Sequence, residues 1–321
     1  MLSDILKNKK CFKLVCGAGN EDLSEVEKLV YIYSKAGCNL FDLSANPEVV
    51  RAAKSGLEKA GISENRYLCV SVGIKGDPHT NKAVINQALC RKCGGCQKIC
   101  PQNAIFEDTY FNSVRTEKCI GCARCTEVCK FGAISFVSTE TDLKQVLPEI
   151  IDEGVDCLEF HAITDNDSEV FEKWNILNEI YNGFLSICID RSKLSNEKLT
   201  ERLSKMLAVR DPYSTIIQAD GAPMSGGKDD YNSTLQAVAT AEVVQNAKFP
   251  VYVLLSGGTN SKSSELASIC DIDISGVAIG SYARLIVREY LNKEDFWEND
   301  FVRQKATETA KSLVDKIFKW L

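Results

Sequence analysis

The chain has 321 residues, 45% of them apolar and 26% charged, which suits one α/β barrel or two modest domains and gives no sign of long disorder. Its formal net charge of -6 argues against a nucleic-acid partner held by a general basic field. Residues 1–10 lack a signal-peptide core, and no stretch approaches the roughly 18 apolar residues of a spanning helix, so we expect a cytoplasmic protein without a transmembrane segment.

The N-terminal part of the chain alternates short apolar runs with longer amphipathic ones, which is the pattern of βα units. Apolar runs bounded by turn residues predict the strands, and the 3.6-residue period predicts the helices. Strands are predicted at residues 12–16, 40–43 and 67–72, and helices at residues 23–36 and 47–60.

Eight of the fifteen cysteines then form two runs with the spacing of bacterial two-cluster ferredoxins. Each cysteine of the second run lies 29 residues after its counterpart, so the unit is an internal repeat, and Ala104-Ile105 recurs as Ala133-Ile134. The alternatives are zinc bound by Cys-x2-Cys pairs and plain buried cysteines, but zinc would not demand four evenly repeated cysteines in each run. The runs are Cys90-x2-Cys93-x2-Cys96-x3-Cys100 and Cys119-x2-Cys122-x2-Cys125-x3-Cys129.

In ferredoxins of this spacing, the fourth cysteine of each run ligates the other cluster. We therefore predict two [4Fe-4S] clusters with crossed ligands. The first set is Cys90, Cys93, Cys96 and Cys129, and the second set is Cys119, Cys122, Cys125 and Cys100.

Five further strands follow, at residues 157–162, 185–189, 215–218, 251–255 and 276–279, with helices that include 142–153 and 233–246. Eight βα units suggest a (β/α)8 TIM-like barrel, and removing an insertion of roughly 60 residues leaves about the usual barrel length. We therefore divide the chain into barrel segments 1–78 and 139–321, interrupted by a ferredoxin-like α+β insertion at 79–138. An open doubly wound sheet is the alternative.

Polar residues stand at the predicted C-terminal strand ends, where barrels form their active sites. Each alone is more often structural, such as an aspartate that caps the next helix, but their repetition favours a site. His161 and Asp220 are the candidate proton donors. The full set is Asp42, Ser44, Lys75, His161, Asp190, Gln218 and Asp220.

The loops after the seventh and eighth strands are the usual place of a phosphate site in such barrels. Gly257 and Gly258 follow the seventh strand, and Gly280, Ser281 and Arg284 follow the eighth. Glycine lets backbone amides approach an anion, and a helix N-terminus adds a favourable dipole. A flavin or another phosphate-bearing ligand would fit there, and the alternative is that the glycines only form tight turns.

Short motifs along most of the chain match one known family. They are Lys13-Leu14-Val15-Cys16-Gly17-Ala18, Ala36-Gly37-Cys38, Ala45-Asn46-Pro47, Gly154-Val155-Asp156, Asp220-Gly221, Pro223-Met224-Ser225-Gly226, Gly257-Gly258-Thr259-Asn260 and Gly280-Ser281-Tyr282-Ala283-Arg284. In these motifs the chain resembles the light-dependent period proteins (LdpA), iron–sulfur proteins of cyanobacteria and plastids. The resemblance implies a redox-responsive protein whose clusters sense or relay electron supply. The chain departs from the family loop at Ala222 and Gly227, so an anion contact there is not carried over.

Two functions follow as hypotheses. The first is a 4Fe-4S protein in electron transfer or redox sensing, whose partner is a redox protein or a small-molecule electron donor or acceptor. The second is an oxidoreductase whose ferredoxin-like segment feeds electrons to a flavin or a phosphorylated ligand at the barrel mouth. The sequence leaves the oligomeric state open.

Overall fold

The computed structural model describes residues 1–17, 19–62, 64–74, 81–138, 142–221 and 228–321. Eight parallel strands form a closed barrel, so the TIM-like prediction is confirmed and the open sheet is excluded. Around the barrel they are β1 (Cys11–Val15), β2 (Leu40–Ser44), β3 (Tyr67–Val72), β8 (Cys157–His161), β9 (Phe184–Ile189), β10 (Thr215–Asp220), β11 (Tyr252–Ser256) and β12 (Gly276–Ile279).

Helices surround the barrel, and their ends carry the expected capping residues. The Asp22 side chain accepts a hydrogen bond from the backbone of Glu25, and Gly37 ends the same helix in the left-handed conformation. The helices are α1 (Leu2–Lys7), α2 (Leu23–Ala36), α3 (Pro47–Ala60), α6 (Leu143–Asp152), α7 (Asp167–Ile180), α8 (Asn196–Leu207), α9 (Tyr231–Ala247), α10 (Ser263–Ile269), α11 (Ser281–Leu291) and α12 (Asp300–Phe318).

A small α+β module, residues 81–138, lies between β3 and α6 in the chain. Its elements are β4 (Asn81–Ile85), α4 (Gly95–Ile99), β5 (Ile105–Glu107), β6 (Asn112–Val114), a 3-10 turn (Thr116–Lys118), α5 (Arg124–Val128) and β7 (Ile134–Ser138). The first and last strands, β4 and β7, pair antiparallel, as do β5 and β6, and one short helix follows each cysteine loop.

The barrel interior changes character along its axis. At the N-terminal end of the strands, α1 inserts Leu2 and Leu6 against an apolar layer that includes Cys11, Cys69 and Cys157. The middle and the C-terminal end instead hold buried charged and polar side chains. Water-excluded charge is costly unless it is paired, so this end is where a function is expected.

Lys75, which the sequence places at a strand end, and residues 222–227, which belong to the family loop after Gly221, lie outside the described residues. Within the described ranges, none of the helices is both long and apolar enough to cross a membrane.

Candidate functional site

The two cysteine loops have the same backbone conformation. Left-handed φ angles occur at Lys92 (50°) and Gly94 (73°), and again 29 residues later at Gly121 (69°) and Ala123 (59°). Because L-residues rarely adopt this conformation, a non-glycine residue in each loop shows that the loop is tightly constrained. The repeat seen in the sequence is therefore a repeat in structure.

Backbone and side-chain N–H groups point at cysteine sulfurs in both halves of the module. The amide of Ala104 donates to Sγ of Cys100 at 3.3 Å, and the amide of Ala133 donates to Sγ of Cys129 at 3.4 Å. Asn112 Nδ2 also lies 3.4 Å from Sγ of Cys96. Such donors stabilise thiolate ligands, so the chemistry and surroundings of these sulfurs fit an iron–sulfur cluster.

The second predicted ligand set comes together around one small cavity. This cavity is lined by Cys100, Cys119, Cys122 and Cys125, with Ile105 and Phe136 among its apolar walls. In the first motif Cys93 is exposed, whereas in the second motif Cys119 and Cys125 are buried and Cys122 and Cys129 are only partly accessible. The second motif therefore lies deeper in the protein than the first.

The second motif is deeper because the module packs against the loop between β1 and α2. Nζ of Lys118 lies 2.7 Å from a carboxylate oxygen of Asp22, and the backbone of Glu21 donates to the carbonyl of Glu117 at 2.7 Å. Lys82 donates to the carbonyls of both Gly19 and Cys119, at 2.6 and 3.0 Å.

A polar triad with two buried members, Glu25 and Gln102, and a partly buried Arg288 extends this contact. Arg288 of α11 donates from Nη1 to Glu25 of α2 at 2.9 Å and from Nη2 to Gln102 of the module at 2.5 Å. Gln102 follows the ligand candidate Cys100 by two residues and is 3% exposed. The barrel therefore holds the segment beside the second ligand set through a charge-assisted network.

Replacing Arg288 with methionine is expected to loosen the module by about 1–3 kcal/mol, because the buried side chains of Glu25 and Gln102 lose a hydrogen-bond donor. Hydrogen exchange followed by mass spectrometry would show faster exchange in residues 99–107. Lys118→Met is the matched control, since its pair with Asp22 is partly exposed and is worth about 1 kcal/mol or less. Equal exchange in the two variants would contradict a stabilising role for the triad.

A cavity of about 90 Å³, lined by both polar side chains and apolar surface, occupies the C-terminal mouth of the barrel. His161, Gln218 and Asp220, which the sequence places at strand ends, all line it. The glycine loops also reach it, as does one residue of the module, Ile120. The lining residues are Val15, Gly17, Asp42, Ile120, Glu159, His161, Cys188, Gln218, Asp220, Ser256, Gly257, Gly258, Thr259, Gly280, Ser281 and Arg284.

Two of the predicted strand-end residues serve the loops instead. The Asp190 carboxylate accepts hydrogen bonds from the backbone and hydroxyl of Ser192, and the Ser44 hydroxyl donates to the carbonyl of Asn20. Their roles match the structural alternative for such residues.

A buried ion pair lies beneath the cavity. Nζ of Lys13 on β1 is 2.5 Å from Oε2 of Glu159 on β8, and both side chains are 1% exposed. Glu159 also accepts from Ser186 at 2.8 Å and from Gln218 at 2.5 Å, and it lies 3.5 Å from Nε2 of His161. The carboxylate is thus the centre of a network that reaches the mouth.

The charges in this network are fixed by their neighbours. Burial alone would lower the pKa of Lys13, but Asp42, Cys69 and Glu159 hold that pKa well above its usual range. Burial would raise the pKa of Glu159, but Lys13 and His161 hold it well below its usual range. Lys13 is therefore a fixed cation, which makes it unsuited to attack a carbonyl group as a free amine.

Two buried polar atoms at the mouth have no hydrogen-bond partner among the described residues: Oε1 of Gln218 and Nε of Arg284. Gln218 is 2% exposed and Arg284 is 4% exposed. The other end of the guanidinium donates from Nη1 to the carbonyl of Val15 at 2.7 Å. Unsatisfied buried groups are costly, so their position in a cavity lining favours a polar ligand.

Gly257 has a left-handed φ of +61°, and a Cβ there would lie 2.8 Å from the amide nitrogen of Gly221 and 2.9 Å from Oδ1 of Asp220. We expect Gly257→Ala to lower the free energy of unfolding by about 2–4 kcal/mol, because the new side chain is both strained by the left-handed φ and crowded by these two atoms. Gly61 is a matched control, because its φ is +66° and nothing lies within 4 Å of the added Cβ. Gly61→Ala should cost only about 1 kcal/mol, so equal losses in urea unfolding would contradict crowding at the mouth.

Comparison with known proteins adds the family. A family model described as the light dependent period A C-terminal domain matches residues 149–317. Light dependent period A of Synechococcus elongatus is 30% identical over 94% of this chain and 90% of that protein. The chain belongs to the light dependent period A family. The resemblance stated from the motifs is confirmed.

The module of this light dependent period A family member also has a match of its own. A family model described as a 4Fe-4S dicluster domain matches residues 82–130, which include all eight cysteines of the two runs. The electron transport protein HydN of Escherichia coli is 30% identical over a segment that covers 36% of this chain and 64% of that protein. The module is therefore an iron–sulfur domain of the 4Fe-4S type.

Two solved structures have an overall fold similar to that of this family member. The YdjI aldolase of Escherichia coli K12 has a TM-score of 0.50 at 8% identity and covers 100% of this chain and 96% of its own. A tryptophan synthase of Mycobacterium tuberculosis has a TM-score of 0.50 at 10% identity, covering 98% and 97%. At identities this low the likeness shows the fold alone.

Sequence reasoning missed several residues of this family member's site. Lys13 and Glu159 are single charged residues in the middle of otherwise apolar strand segments, and that isolation is a signal of a paired, inward-facing charge. Ile120 carried no such signal, since an apolar residue between cysteines is unremarkable in sequence. Only the packing of the module shows its position at the mouth.

Proposed function

We propose that the chain is an electron-transfer protein with two [4Fe-4S] clusters, the second of which lies against the barrel mouth. Ile120 is the observation that carries this proposal, because it stands between Cys119 and Cys122 and lines the mouth cavity. The similarity of the module to an electron transport protein supports the same function. When bound, such clusters accept and donate single electrons.

The proposed ligands follow the crossed arrangement, with Cys90, Cys93, Cys96 and Cys129 as one set and Cys119, Cys122, Cys125 and Cys100 as the other. The cavity shared by the second set supports it. The N–H donors to cysteine sulfurs support thiolate ligands in both sets. The chain's own contribution is to hold these sulfurs and to set the reduction potential through hydrogen bonds and burial.

We also propose that the mouth responds to the redox state of the second set. One added electron makes the electrostatic potential behind Ile120 more negative. Arg284 lines another side of the same cavity, where burial lowers the pKa of its guanidinium and so leaves its charge poorly solvated. An anion in the cavity would then bind more weakly after reduction, and by linkage it would make reduction harder. Redox sensing is thus electrostatic coupling across one cavity.

Hydrogen exchange of the anaerobic holoprotein, oxidised and dithionite-reduced, tests this coupling. We expect the exchange of segments 256–261 and 280–288 to change on reduction. The helix α12, which has no residue lining the cavity, serves as the internal control. Identical exchange in both mouth segments would exclude sensing at the mouth, and clusters that do not titrate at all would exclude electron transfer.

A second candidate is an oxidoreductase that takes a phosphate-bearing ligand at the mouth. The donor Arg284 Nε, which has no partner among the described residues, favours it, together with Gly257, Gly258, Gly280 and Ser281 around the same cavity. Gln218 Oε1 is an acceptor, so it suits a hydroxyl or amide group of the ligand and not the phosphate itself. The enclosed part of the cavity measures about 90 Å³, which leaves room for a phosphate group. His161 and Asp220 are the proposed proton donors.

Calorimetric titration of the anaerobic protein with inorganic phosphate tests the second candidate. Arg284→Lys keeps the charge but removes the planar fork, so we expect at least a tenfold loss of phosphate affinity. Mass spectrometry of small molecules that co-purify with the protein gives an independent readout. Absence of phosphate affinity in the wild-type protein, with no phosphorylated molecule co-purifying, would exclude this candidate.

A further inference from the structure

The two cysteine motifs are equivalent in backbone but opposite in surroundings. The position of Ile120 in the second motif corresponds to Arg91 in the first, 29 residues earlier. Ile120 is 7% exposed and lines the mouth cavity, whereas Arg91 is exposed. Likewise Lys118 pairs with Asp22 of the barrel, whereas its counterpart Leu89 is 44% exposed. One loop contacts the barrel, and its repeat faces solvent.

The solvent-facing loop continues into a second exposed segment. The backbone of Asn86 donates to the carbonyl of Ala133 at 2.7 Å, which ties the chain before Leu89 to the turn after Cys129. That turn exposes Lys130 and Phe131, the latter at 45%. We call Leu89, Arg91, Cys93, Lys130 and Phe131 the distal face. It combines two exposed apolar side chains, two exposed cations and the exposed cysteine of the first ligand set.

The charge of the module differs from that of the chain. Residues 81–138 contain eight Lys and Arg against four Asp and Glu, a side-chain charge of +4 before the negative charge of the thiolate-bound clusters is counted, in a chain whose total is -6. Lys92 beside the distal face pairs with Glu107, which leaves Arg91 and Lys130 as the exposed cations on the face itself. A basic patch on an otherwise acidic protein steers acidic partners to itself and repels basic ones.

We infer that the distal face is the docking surface for an acidic one-electron carrier protein. This inference rests on the proposed function and gives the two ligand sets different roles. Electrons enter at the cluster of the first set, and the cluster of the second set lies beside the barrel mouth. In the step inferred here the reduced carrier loses one electron and the cluster of the first set gains it, with no proton or bond exchanged. The exposed apolar residues supply contact area around the point of transfer, and the cations orient the carrier.

The experiment compares anaerobic holoproteins: wild type, the double variant Arg91→Glu/Lys130→Glu, and the control Lys7→Glu/Lys10→Glu. The control makes the same change in net charge with exposed lysines at the opposite end of the barrel. The probe is an acidic [2Fe-2S] ferredoxin. Calorimetry measures its binding with both proteins oxidised, and stopped-flow bleaching measures how fast the reduced ferredoxin reduces the clusters. Dithionite, which needs no docking surface, reports whether the clusters are intact.

At low ionic strength we expect the distal-face variant to lose at least tenfold in ferredoxin affinity and in the second-order reduction rate. Dithionite reduction and the control variant should match wild type, and the wild-type rate should fall as salt rises. A distal-face variant that binds and is reduced like wild type would overturn the docking surface alone. Wild-type clusters that dithionite fails to reduce would instead overturn the proposed function beneath it.

Discussion

Glu159→Ala is expected to destabilise the folded protein by about 3–5 kcal/mol, because it leaves the Lys13 ammonium buried without its nearest counter-charge. Asp42 lies 3.7 Å from Lys13, compared with 2.5 Å for Glu159, and burial raises the pKa of Asp42, so it is a poor replacement. Ser186 and Gln218 would also lose their shared acceptor. Thermal unfolding by circular dichroism under anaerobic conditions should show a midpoint lowered by roughly 6 °C or more.

The matched control removes both charges. Lys13→Met/Glu159→Leu replaces the pair with apolar groups of similar length, so its loss of stability should be clearly smaller than that of Glu159→Ala. The ion pair also predicts how the stability of the folded protein changes with pH. Because the folded pKa of Glu159 lies below its unfolded value of about 4.3, its contribution is complete above that value and is lost as pH falls. A double variant less stable than Glu159→Ala would contradict the burial of an ionised pair.

The fold was largely predictable because its determinants are local. The bounds of α2 and α3 match the predicted helices, since Asp22 and Asn46 cap their first turns and Gly37 and Gly61 end them in the left-handed conformation. Strand ends were less accurate. β10 continues two residues beyond its predicted end to Asp220, which pairs with Ser256 of β11, and such pairing depends on the neighbouring strand.

The site was predictable where a spacing motif or the end of a predicted strand records it, as for the cysteines and for His161, Gln218 and Asp220. The eight cysteines repeat at a fixed offset, so both motifs were visible without a structure. Lys13 and Glu159 are 146 residues apart, and nothing local links them. The triad of Glu25, Gln102 and Arg288 likewise joins three distant segments. Contacts of this kind follow from barrel closure and from module packing, which single-sequence patterns do not encode.

The broken symmetry of the module gives the site a direction. Two loops of one conformation would be interchangeable in a free ferredoxin, but here Gln102, Lys118 and Ile120 of the module face the barrel. Below the cavity that Ile120 reaches, the Lys13–Glu159 pair fixes the local charge. The fixed Lys13–Glu159 pair below the cavity and the iron–sulfur module beside it together favour a cavity whose ligand affinity depends on the redox state of the module.

Cys100→Ser and Cys129→Ser are expected to lose different clusters, although each removes the fourth cysteine of a motif. With crossed ligands, each variant should keep about four of eight iron atoms per chain. Cys100→Ser should raise hydrogen exchange in residues 117–122 beside the barrel mouth, because Cys100 shares a cavity with Cys119 and Cys122. Cys129→Ser should instead raise exchange in residues 88–96, on the solvent side.

Ligands confined to one motif would give the reverse pattern, with Cys100→Ser loosening residues 88–96, so the two arrangements are separated by the location of the change as well as by iron content. Cys270→Ser is the matched control, because Cys270 is exposed and lies outside both motifs. It should keep all of the iron and leave both segments unchanged. Since only the second set adjoins Ile120, Cys100→Ser should also abolish any effect of reduction on segments 256–261 and 280–288, whereas Cys129→Ser should preserve it when dithionite supplies the electrons.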